Sequence, residues 1–121
     1  MKETFSIKTT REFQNVFMRK CSASDGLLIV FAIPNGREES RVGLSVSRRY
    51  GKAVQRVRWK RLVREAFRHT IHQIDGPAMD VVIVPGRFRR SDFMPDFQES
   101  LQKLLPTVAK KLKRAIINPE V

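Results

Sequence analysis

The chain has 121 residues, with 24 Lys and Arg against 12 Asp and Glu, a net charge of +12 and a sequence pI near 10.9. That length suits one domain, residues 1–121, with a modest core that needs no disulfide or structural metal. The one cysteine, Cys21, excludes an intramolecular disulfide and a multi-cysteine zinc site. Like charge at this density costs stability through self-repulsion, which points to a polyanionic partner.

The N-terminal "MKETFSIKTT" has no apolar stretch long enough for a signal peptide. No run approaches the ~18 apolar residues of a membrane span. With one cysteine, a cytoplasmic protein is expected. Residues 9–20, "TTREFQNVFMRK", read as a short helix. Thr9 and Glu12 have the spacing of a capping box, and Phe13, Val16 and Phe17 fall on one face. "GLLIVFAIP" (26–34) is a strand closed by Pro34, and Asn35-Gly36 favours a turn. In "RVGLSVS" (41–47), Val42, Leu44 and Val46 alternate with Gly43, Ser45 and Ser47. The two segments read as a hairpin whose small-residue face leaves room for something to approach the sheet. A helix over 53 to about 74 follows, then a loop, a strand "VVIV" (81–84) and the basic loop "RFRRSD". Phe97, Leu101, Leu104, Leu105, Val108 and Leu112 form a helical stripe that Pro106 should kink or split. The basic tail, residues 113–121, is expected to fray. The order α-β-β-α-β-α predicts an α+β domain with helices against a mostly antiparallel sheet of three or four strands.

The charge is concentrated. Between Ser40 and Thr70 ten Lys or Arg stand against Glu65 alone, so +9 of the +12 lies in a quarter of the chain. At about 100° per residue, Arg56, Lys60, Arg64 and Arg68 descend one row, with Arg61 beside them and Arg58 at the margin. Trp59, Leu62, Val63, Ala66 and Phe67 fill the opposite arc. Like charges at i, i+4 cost roughly 0.2–0.5 kcal/mol per pair, and a row of phosphates would relieve that repulsion while releasing counterions. Arginine outnumbers lysine in this set, which suits bidentate phosphate contacts and stacking on bases. A helix that reads DNA mixes in Asn, Gln, Ser or Thr for base edges. This face has Gln55 and little else of that kind, which favours structured RNA over DNA. A membrane-surface helix is disfavoured by its core-type apolar face.

"RVGLSVSRRYGKAVQRVRWKRLVREAFR" closely resembles the signature region of the bacterial ribonuclease P protein component. "REFQNVF" resembles that family's first helix and "DVVIVPGR" its last strand. The resemblance implies a left-handed βαβ crossover that presents the basic helix. It implies an accessory subunit whose partners are a catalytic RNA and precursor tRNA. The RNA cuts off the 5′ leader with Mg²⁺, and the protein holds the single-stranded leader in a central cleft. By position, Arg56, Arg58, Lys60, Arg61 and Arg64 match the basic motif that contacts the catalytic RNA, with Arg68 continuing the row. Phe13 and Phe17 match the aromatics of the leader cleft, and Ser45, Ser47, Arg48 and Arg49 would lie at its floor and end. Val30 takes the place where many members present an aromatic to the cleft, and Phe31 should point to the other face. Val57 replaces the asparagine of the family's "RNR" triplet, and Gln55 is the candidate to supply its lost hydrogen bonds.

The acidic residues are scattered, with no pair spaced to hold catalytic metal ions. His69 and His72 stand at i, i+3 without an adjacent acid. No catalytic residue and no metal site is therefore expected in the polypeptide itself. The alternatives are a structural RNA-binding protein of the ribosome type, without a substrate cleft, and a DNA-binding regulator.

Overall fold

The computed structural model describes residues 7, 9–18 and 21–117. In chain order they form α1 (Thr10–Met18), β1 (Ser22–Ser24), β2 (Leu28–Pro34), β3 (Arg41–Leu44), a 3₁₀ turn (Arg48–Tyr50), α2 (Ala53–Ile71), β4 (Met79–Pro85) and α3 (Met94–Ile117). The four strands make one mixed sheet in the order β1-β2-β4-β3. β4 runs antiparallel to β2 and parallel to β3, so β3, α2 and β4 form a βαβ crossover.

The expected hairpin of β2 and β3 does not form, because β4 lies between them. β4 is apolar on both faces: Val81 and Ile83 join one buried cluster and Val82 the other. A strand of that kind belongs in the middle of a sheet. The 35–40 segment spans it instead of turning tightly. Asn35 Nδ2 donates to the Glu39 carbonyl (3.1 Å) and to Asp80 Oδ1 (3.0 Å), and Ser40 Oγ accepts from the Met79 N–H (2.9 Å). Both ends of the loop are thereby fixed to the start of β4. The fourth strand, β1, is short and polar and carries no periodic signal. It pairs antiparallel at the outer edge of β2, Ser22 opposite Phe31.

The sheet has two unlike faces. Leu28, Val30, Ala32, Val42, Val81 and Ile83 pack beneath α2 and α3 with Trp59, Phe67, Phe97 and Leu105. α3 passes through Pro106 without interruption, so it does not divide there. The hydrogen bond that Pro106 cannot donate would have gone to Gln102. Both residues lie on the exposed side of the helix, where the unpaired carbonyl faces solvent and costs little. The helix carries on through Ile117, beyond the point where the tail was expected to begin. Residues 118–121 lie outside the described residues.

The other face is covered in part by α1. Its capping box forms as the spacing predicts: the Glu12 N–H donates to Thr9 Oγ1 (3.1 Å) and the Thr9 N–H to Glu12 Oε1 (3.3 Å). Val16 is fully buried against Val82, with Phe13 and Phe17 half-buried beside it. The room that the small residues of β3 provide is taken here by Phe13. A Cβ on Gly43 would stand 2.5 Å from Phe13 Cζ.

Charge also fixes α1. Arg41 donates from Nε and Nη2 to the two oxygens of Asp80 (2.8 and 2.6 Å), and Nη2 also reaches Glu12 Oε2 (2.6 Å). Arg41 and Asp80 are largely buried, with side chains 12% and 8% exposed. The hydrogen bond from Arg41 holds the Glu12 carboxyl below its usual range, helped by Thr9 and opposed by partial burial. A depressed folded pKa means that the unfolded chain binds the proton more tightly. The Glu12 contribution is therefore complete above the ordinary glutamate value of about 4.3. It disappears as pH falls through the folded value. Urea midpoints measured from pH 6 down to pH 3 should fall more steeply for the native chain than for Glu12→Gln; equal slopes would remove Glu12 from the docking of α1.

Candidate nucleic-acid interface

α2 begins with half of a capping box, Gln55 Oε1 accepting from the Lys52 N–H (2.8 Å). Trp59, Val63, Ala66, Phe67 and Thr70 form its buried face, and the Thr70 hydroxyl is satisfied by the Ala66 carbonyl (2.7 Å). The predicted division of the helix is what the structure has. Arg58, Arg61 and Arg68 are exposed, while Arg56, Lys60 and Arg64 are half-buried along one flank.

The cations differ in how far they are already paired. Arg68 Nη2 donates to Glu65 Oε1 (2.6 Å), and His69 Nε2 shares that oxygen (3.0 Å). The Arg68 hydrogen bond holds the Glu65 carboxyl below its usual range. Arg58 stands 3.7 Å from Asp92, both side chains well exposed, a pair worth little in water. Arg56 Nε donates to the Gly51 carbonyl (3.2 Å), which steadies the start of the helix. Among the described residues no ion pair involves Lys60, Arg61 or Arg64. These three form the open centre of the row. Val57 lies within it, 49% exposed, with Val54 one turn earlier at 79%. Gln55 Oε1 is committed to its cap, which leaves only its amide N–H groups to replace a missing asparagine.

On the α1 side of the sheet, the part α1 leaves uncovered is a groove of about 530 Å³. Ile29 and Val84 make its floor, Ser45 and Ser47 one wall, and Arg49, Arg87 and Arg90 its rim. Phe13 and Phe17 lie farther along the same face. Phe17 meets Phe31 edge to face, ring centroids 4.9 Å apart. Arg48 is exposed in the 3₁₀ turn but is not a wall of the groove.

Val30 is not on this surface. It is fully buried on the opposite face of β2, under α2 and α3. Alternation then puts Ile29, Phe31 and Ile33 toward α1, so Phe31 is the aromatic that β2 contributes. A shift of one residue in aligning a strand exchanges its faces. The residues missed were Ile29, Phe31, Val84, Arg87 and Arg90. Alternation could have found the first three, and the basic loop "RFRRSD" already carried the other two.

The groove and the basic helix meet at Tyr50. Arg90 lies over its ring, 3.8 Å from guanidinium carbon to centroid, and donates to its carbonyl. The same ring is tilted against Trp59, centroids 6.1 Å apart. Tyr50 and Arg90 also line a second hollow of about 280 Å³ that reaches Gln55 and Arg58. Tyr50 is therefore a joint between the two surfaces, already covered by a cation.

A helix that buries two aromatic rings and turns a row of unneutralised cations outward beside a groove rimmed with arginine belongs to a polyanion-binding α+β protein. Residues 1–114 match the family model for ribonuclease P. The ribonuclease P protein component of Staphylococcus haemolyticus is 30% identical over 116 residues, 96% of this chain and 99% of that protein. That of Caldanaerobacter subterraneus subsp. tengcongensis is 36% identical over 100 residues, 82% and 84% of the two chains. The solved structure of the Staphylococcus aureus RNase P protein superposes with a TM-score of 0.68 at 28% identity, covering 84% of this chain and 92% of that one. The chain belongs to the ribonuclease P protein family, and the role of ribonuclease P protein subunit is favoured over that of a ribosome-type structural protein.

Proposed function

We propose that the chain is the accessory protein of a ribonucleoprotein endonuclease that matures the 5′ end of tRNA, with cleavage performed by the RNA subunit and its Mg²⁺. The α2 row (Arg56, Arg58, Lys60, Arg61, Arg64) lies on folded catalytic RNA. The groove and the Phe13–Phe17–Phe31 face hold the single-stranded leader. The observation that carries this reading is the joint at Tyr50 and Arg90, from which one hollow runs to Arg58 at the margin of the α2 cations while the groove opens beside it. Two RNA strands that converge at a cleavage site could be held by it together. The protein's contribution is electrostatic and positional. Its cations offset phosphate repulsion, which lowers the Mg²⁺ the assembled RNA requires. Aromatic and aliphatic faces accept bases without regard to identity, which suits a leader whose sequence varies.

The test is reconstitution with a bacterial ribonuclease P RNA. Precursor tRNA cleavage at low Mg²⁺ should rise on adding the protein, and substrate affinity should increase with leader length until the groove is filled. Stimulation that is indifferent to the leader would retain the α2 assignment and remove the groove assignment. No stimulation with a cognate RNA would remove both.

A further inference from the structure

Phe88 is 87% exposed, the most exposed of the large apolar side chains among the described residues. A lone apolar side chain in water needs no explanation. The setting of this one differs in three ways. The loop that carries it is pinned: the Gly86 N–H donates to the Leu27 carbonyl (2.7 Å), and the Phe88 and Arg89 N–H groups both donate to the Gly26 carbonyl (3.2 and 3.1 Å). Gly86 permits this approach, since a Cβ there would lie 2.1 Å from the Gly26 oxygen. The ring is thus held in water by ordered backbone. It is also interleaved with cations, Arg87 before it and Arg89 and Arg90 after it. Finally, Arg87 and Arg90 are themselves rim residues of the groove, so the ring stands at the groove's edge.

We propose that Phe88 is a stacking platform for an unpaired base of the leader, at the point where the strand passes the groove rim. Arg87 and Arg89 would meet the phosphates on either side of that nucleotide. The inference rests on the leader-groove reading above. An aromatic face between phosphate-binding cations accepts any base, and the pinned loop leaves little ordering to be done on binding.

The experiment uses the reconstituted holoenzyme and precursor tRNAs in which one leader base at a time is removed. Phe88→Ala should weaken binding of the full-leader substrate about 5- to 150-fold, with an unchanged salt slope, because no charge is lost. One abasic position should cost the native enzyme a similar factor and cost the Phe88→Ala enzyme nothing further. Phe88→Trp should keep native affinity, and its new indole should change emission on leader binding over the constant signal of buried Trp59. Three results overturn the inference: native affinity in Phe88→Ala, an equal loss with leaderless tRNA, or a loss explained by self-association in sedimentation. If the native enzyme already ignores leader length, the groove reading fails first. If it senses the leader and Phe88→Ala does so equally well, only the stacking assignment fails.

Discussion

Alanine at Lys60, Arg61 and Arg64 together should reduce the salt slope of binding to the catalytic RNA by about 2–3. Affinity near physiological salt should fall by roughly 10³-fold or more, since each hydrogen bond to a charged group contributes about 1.5–3 kcal/mol. These three side chains have no acidic partner among the described residues. Their replacement therefore breaks no ion pair or side-chain hydrogen bond among the described residues. Alanine is a better helix former, and losing the i, i+4 repulsion adds a few tenths of a kcal/mol. The free protein should consequently gain stability while its RNA binding collapses. The same substitution at Arg68, already held by Glu65, should change the slope less. Titration of labelled RNA at several salt concentrations, with urea melts of the free protein, reads both signs. A triple variant with native slope would place the RNA elsewhere; one that lost both stability and binding would make the row structural.

Arg41→Ala should cost about 3–5 kcal/mol of stability, the range for removing one member of a buried ion pair. The guanidinium is the shared counter-ion of Asp80 on β4 and Glu12 on α1. Its loss strands the Asp80 carboxylate, 8% exposed, with only Asn35 among the described residues still donating to it. It also releases the charged tie of α1, so Phe13 and Phe17 lose their fixed position on the sheet. Combining Arg41→Met with Asp80→Asn and Glu12→Gln removes every charge together and should recover much of the stability. Denaturant midpoints for the single and triple variants decide it. A cost below about 1 kcal/mol for Arg41→Ala would mean that water reaches the cluster freely.

Some of this molecule could be read directly from its residues. The one-sided nature of α2 follows from Trp59, Val63 and Phe67 falling away from Arg61, with Lys60 and Arg64 along the flank, because helical periodicity is a local property. The capping box at Thr9 and Glu12 is local in the same sense. What stayed hidden was long-range. No pattern in 28–44 shows that β4 will come between two strands neighbouring in sequence. That arrangement depends on β4 having two apolar faces to cover, and on Asn35 and Ser40 reaching Asp80 and Met79. β1 was missed because Ser22–Ser24 is held mainly by pairing with β2, with only Ala23 packed against the core. In the candidate site, the arginines of α2 were legible, but the face of β2 was misassigned. Alignment to a family motif placed Val30 on the groove side of the sheet, whereas strand alternation, applied from Leu28, would have placed Ile29 and Phe31 there. Arg41 concealed its role for another reason. As one more cation in a basic chain it looked like surface charge, and only the fold shows it enclosed by two acids.

The position of β4 has a consequence for the nascent chain. β2 and β3 have no bond to each other; both wait for a strand that leaves the ribosome only after α2 has been made. Until residue 85 emerges, Trp59 and Phe67 lack the surface they will cover, and the cationic side of their helix hangs beside ribosomal RNA. Such late, non-local closure slows folding relative to a hairpin meander. Translation past Pro85-Gly86 is thus the step at which the sheet can close, with α3 still to come and cover it.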